Sequence, residues 1–79
     1  MFEILGQSYV VTVGSDIQRD GMYLEVEDDA EAVLAEVFYH DGDHTMTFTS
    51  YRSNLPLPLV EWMIVHAKER LIPVSGNGS

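Results

Sequence analysis

The pair Asp41-Gly42, with the residues on either side of it, constrains this chain more than any other feature. Downstream, Thr45 to Tyr51 reads TMTFTSY. Its β-branched and aromatic residues suit a pleated, half-buried strand that needs a neighbour. Upstream, DDAEAVLAEVFYH is ambiguous. Ala30, Val33, Leu34, Val37 and Phe38 keep helical spacing, and Asp28 with Glu31 is placed to form a capping box. Val33, Ala35, Val37 and Tyr39 alternate equally well as a strand. Asp-Gly between two apolar runs is a strong signature of a tight hairpin. The hairpin decides for a strand over 33–40.

Loop length then sets which side chains share a face. A two-residue loop places Val37 opposite Met46 and Ala35 opposite Phe48, and a four-residue loop keeps the same parity. One face becomes Val33, Ala35, Val37, Tyr39, Met46 and Phe48. The other becomes Leu34, Glu36, Phe38, Thr45, Thr47 and Thr49. A three-residue loop would bring Glu36 onto the apolar face, where a lone carboxylate costs several kcal/mol or stays protonated. The same parity bears on HDGDH, His40 to His44. Two histidines and two aspartates in five residues invite a metal reading through His40, Asp43 and His44. The register that makes a core sends the two histidines to opposite faces. The spacing is neither that of an EF-hand loop nor that of two histidines on one helix turn. The expectation is a turn, without a metal or other cofactor.

The rest of the chain extends this pattern. SYVVTV (8–13) and MYLEVE (22–27) read as strands, joined by the polar loop Gly14–Gly21, and FEIL is a candidate lead-in strand before Gly6. After Pro56 and Pro58, the residues Leu57, Val60, Ile64, Ala67 and Leu71 recur at steps of three and four. That predicts an amphipathic helix, closed by Lys68, Arg70 and Pro73. The expected fold is α+β: a small four-stranded antiparallel meander with one C-terminal helix packed on one face. It forms one domain over 1–73, followed by a flexible tail over 74–79.

Charge narrows the function. Thirteen Asp and Glu against four Lys and Arg give a formal charge of −9. That opposes direct binding to nucleic acid or to anionic membranes and favours encounter with a basic protein. There is no cysteine, hence no thiol nucleophile and no disulfide framework. No signal-peptide pattern or apolar run long enough to span a bilayer occurs, so a cytoplasmic location is expected. His66, Ser50, Ser53 and Tyr51 fall in no catalytic motif, and the chain is expected not to be an enzyme.

Two clusters stand out for partner binding. Glu25, Glu27, Asp28, Asp29 and Glu31 put five carboxylates in seven positions, either a docking surface for a basic partner or a solvated strand end. On the helix, Trp62 lies opposite the predicted stripe, with His66 one turn on and Leu59 beside it. That is either an exposed contact patch or an indole half covered by the N-terminal segment. The leading expectation is a small acidic binding module of the inhibitor, immunity-protein or antitoxin kind. The alternatives are a structural homo-oligomer, with homodimerisation through sheet edges or helix faces, and a weak His/Asp metal binder.

Overall fold

A computed structural model describes residues 1–72; the expected tail over 74–79 lies outside them. The chain runs β1 (Phe2–Ile4), β2 (Gln7–Asp16), β3 (Gly21–Glu27), β4 (Val33–His40), β5 (Thr45–Ser50) and α1 (Leu57–Arg70). The strands form one antiparallel sheet in the order β1-β2-β3-β4-β5. This is the expected meander and helix, with Phe2–Ile4 of the lead-in FEIL added as a short fifth strand. Leu5 and Gly6, at φ 53° and 80°, connect β1 to β2 in two residues. Both lie in the left-handed region that two-residue hairpin turns require. β2 runs on through Asp16, so the expected loop shrinks to residues 17–20.

The β4–β5 hairpin has the expected parity and a longer loop. Its pairs are Tyr39↔Met46 and Val37↔Phe48, two residues displaced from the two-residue-loop register. Local hydrogen bonds favour the four-residue loop. His44 N–H donates to the His40 carbonyl at 2.8 Å. The Asp43 carboxylate accepts from the Thr45 N–H at 3.1 Å and the Thr45 hydroxyl at 2.7 Å. The left-handed residue is His44, φ 62°, and not Gly42.

Alternation gives the sheet two unlike faces. Tyr9, Val11, Val13, Leu24, Val26, Ala35, Val37 and Tyr39 face α1. Tyr9, Leu24, Val26, Ala35, Val37 and Tyr39 are buried there together with Leu59, Met63, Ala67 and Leu71. The helix is therefore rotated from the expected stripe. Leu57 and Ile64 are exposed, and the buried line is Leu59, Met63, Ala67 and Leu71, a turn of about 60° at ~100° per residue. The cause is Trp62. Its indole stacks on Phe2 at 3.7 Å between centroids and on His66 at 3.8 Å. That stack draws this flank of the helix down onto β1. No helix among the described residues is long and apolar enough to cross a membrane.

Candidate functional site

The five carboxylates of the acidic cluster divide by role. Glu25 and Glu27 alternate on β3 and point to the open face of the sheet, away from α1. Asp28 is structural. Its Oδ1 accepts the backbone N–H groups of Ala30 and Ala32 at 2.9 and 3.0 Å. Arg52 Nη2 sits 3.4 Å from its Oδ2. These bonds, the Ala32 N–H first, hold the Asp28 carboxyl below the usual carboxylate range. The capping box read between Asp28 and Glu31 does not form: Asp28 instead closes a β-turn, with Glu31 N–H donating to the Asp28 carbonyl at 3.1 Å. Glu31 sits in that turn at φ 65°. Asp29 and Glu31 are exposed.

Around this turn lies an open groove of about 460 Å³, lined by Met1, Ser8, Val10, Glu27, Asp28, Asp29 and Glu31. Val10 and Met1 are exposed apolar groups. They give the acidic rim something to desolvate against.

The open face also carries a network that sequence reasoning missed. Arg19 reaches from the β2–β3 loop across the sheet. Its Nη1 and Nη2 donate to both Glu36 oxygens at 3.0 and 2.7 Å, and its Nε donates to Asp16 Oδ2 at 2.7 Å. The guanidinium carbon lies 4.1 Å from the Phe38 ring centroid. Glu36 thus lies on the expected polar face, yet is only 4% exposed. The one available signal was compositional: Arg19 is the sole Lys or Arg before Arg52.

Glu25 stands directly opposite Glu36. Burial, then the charges of Glu36 and Glu27, push its carboxyl above the ordinary 4.5. Asp16, Asp28 and Asp43 are all held below 3.8, by the Arg19 guanidinium, the Ala32 N–H and the Thr45 hydroxyl respectively. The two groups act in opposite senses. The Glu25 penalty is fully present above its raised folded value and fades as pH falls toward 4.5. The aspartates stabilise fully above 3.8 and lose that contribution as pH falls through their lower folded values. Thermal melts at micromolar protein should show Tm rising as pH falls through the raised Glu25 value toward 4.5 and falling again below about 3.8. Glu25→Gln should shrink that rise and gain up to ~1 kcal/mol at pH 7, the range for like charges directly opposed. A Tm that only falls as pH is lowered from 7 to 4.5 would contradict the raised Glu25.

The histidines are separated as expected. His40 Nε2 meets Thr47 Oγ1 at 3.2 Å on the open face, and His44 Nδ1 meets the Tyr39 hydroxyl at 2.7 Å on the helix side. Among the described residues no three His, Cys, Asp or Glu side chains converge as metal ligands. The helix contact patch is not assembled. Leu59 is fully buried under the helix. Trp62 is half-buried in the stack with Phe2, the second of the two readings of that indole. His66 is half-buried beside it, its Nδ1–H donating to the Trp62 carbonyl at 2.9 Å. No family model, no curated protein and no solved structure matches this chain.

Proposed function

We propose that the protein is a non-enzymatic binding module that docks a basic protein surface through the acidic turn between β3 and β4, as inhibitors, immunity proteins and antitoxins do. One observation carries this reading: Arg19 and Arg52 are consumed internally, and of the groove's carboxylates only Asp28 is matched among the described residues. Arg19 pairs with Asp16 and Glu36, and Arg52 pairs with Asp28. Glu27, Asp29 and Glu31 form no ion pair among the described residues. They would steer and register the partner electrostatically, while Val10 and Met1 supply the apolar contact first assigned to Trp62 and Leu59.

The test compares the parent with Glu27→Gln/Asp29→Asn/Glu31→Gln, leaving Asp28 in place because it holds the turn. Both are immobilised and exposed to lysate of the source cell at ~50 and ~500 mM salt. The expected result is a basic protein retained by the parent, released by salt, and associating on the order of tenfold more slowly with the variant. Retention that ignores both salt and the substitutions would refute the proposal, as would a parent that retains nothing basic.

A further inference from the structure

The two edges of the sheet are unlike. β1 has three residues, includes Glu3, and lies beside the stack of Phe2, Trp62 and His66. β5 has six, TMTFTS, with no charge and no proline, and it pairs with β4 without a bulge. Charges, prolines and bulges are the usual means by which an edge avoids pairing with another chain. β5 has none of them.

The hydrogen-bond phase of this edge follows from its other side. Tyr51 N–H donates to the Leu34 carbonyl at 2.8 Å. In an antiparallel ladder the bonded pairs alternate, so Thr45, Thr47 and Thr49 turn their backbone groups toward β4. Met46, Phe48 and Ser50 turn theirs outward. The side chains of these same three residues point to the helix face. There Met46, Phe48, Ile64 and Lys68 line a groove of about 140 Å³ between β5 and α1. Phe48 is 43% and Ile64 44% exposed. The core is closed on the β1 side and open on this one.

We propose that β5 is the pairing edge of a two-fold symmetric dimer, and that the occupant of this edge is a second copy of the chain. Placing the two-fold axis at Phe48, perpendicular to the sheet, makes the strand complementary to itself. Phe48 exchanges both backbone bonds with Phe48 of the second copy. Met46 does the same with Ser50 of the second copy, and Ser50 with Met46. All outward groups of the strand are then satisfied. The two Phe48 rings meet over the open grooves on the helix side, and Thr47 faces Thr49 of the second copy on the other, a favourable cross-strand pair. Both helices lie on the same side of a continuous ten-stranded sheet. Charge selects this occupant over a basic partner. Among the described residues Lys68 is the only charged side chain lining the groove, so nothing there attracts a cation, and two chains of charge −9 can approach along an uncharged strand. The groove beside the acidic turn is lined from β2 and Met1 and includes no residue of β5.

Sedimentation equilibrium tests this on the full chain. At about 100 µM the expected mass is twice that of the 8.9 kDa chain, with association strengthened by salt, which screens like charge. Phe48→Lys should weaken association at least about tenfold, since it sets two cations on the axis. Phe48→Pro should do the same, since the N–H it removes points away from β4. Far-UV circular dichroism should be unchanged for Phe48→Lys. In the parent, the amide protons of Met46, Phe48 and Ser50 should exchange slowly, and in Phe48→Lys quickly. A parent that is monomeric at about 1 mM overturns the proposal and leaves the edge to a foreign strand. A dimer that survives Phe48→Lys with those amides still exchanging rapidly places the interface elsewhere and overturns it equally.

Discussion

Gly21→Ala is expected to cost about 3 kcal/mol or more, lowering Tm by more than ~12 °C in a domain of this size. A Cβ at this position would stand 2.0 Å from the Tyr39 carbonyl oxygen and 2.7 Å from two ring atoms of Phe38. Gly21 is itself buried at the start of β3, paired to Asp16 on one side and His40 on the other. The colliding oxygen belongs to β4, which is paired on both sides, and cannot yield without disturbing the ladder. Arg19, stacked over the Phe38 ring at 4.1 Å, resists displacement of that ring as well. Gly14→Ala makes the control. Its new Cβ would meet the Tyr23 ring and hydroxyl first, at 2.8 to 3.1 Å, the outer end of a side chain that can swing aside. The cost there should stay near 1 kcal/mol. Thermal melts of the two variants beside the parent decide the matter. Equal small shifts would mean that Phe38 does not press on bare backbone at Gly21.

The same layering explains which parts of this molecule were legible in its sequence. The β4–β5 hairpin was legible because parity acts twice: one register sets Val37 and Phe48 on the helix side, where Val37 is buried and Phe48 stays exposed, and keeps Glu36 off it, and a one-residue slip undoes both. The loop length was less so, since Asp41-Gly42 suits several turns, and the bonds made by Asp43 and His44 chose among them. The helix was legible as a helix but not in its rotation. Leu57, Leu59, Val60, Trp62, Met63, Ile64 and Val65 encircle its first two turns, so periodicity alone admits more than one buried stripe. A contact sixty residues away in sequence, Phe2 on Trp62, made the choice. The acidic turn was visible as composition. That Asp28 serves the backbone while Asp29 and Glu31 face solvent follows from hydrogen bonds that composition does not encode.

Least legible of all was Arg19, and truncating it should have the second-largest effect. Arg19→Ala strips Glu36, only 4% exposed in the parent, of its cation while it stands directly opposite Glu25. Breaking a buried pair from one side costs roughly 3–5 kcal/mol. The Arg19 side chain is 45% exposed, so water enters its place and about 2–3 kcal/mol is expected here. Part of that loss is apolar, because the guanidinium also covers Phe38. Arg19→Lys should recover less than half. An ammonium cannot engage both Glu36 oxygens while donating to Asp16, nor lie flat on the ring. Glu36→Gln in the Arg19→Ala background should return about 1 kcal/mol or more by removing the stranded charge. The urea midpoints of the parent, both single variants and the double variant make a complete cycle. Strict additivity would mean that the two side chains contribute independently. Strong coupling would show that this one pair allows an acidic chain to bury a carboxylate in the middle of its own sheet. It would also explain why the face beside it has no cation left for Glu27, Asp29 and Glu31.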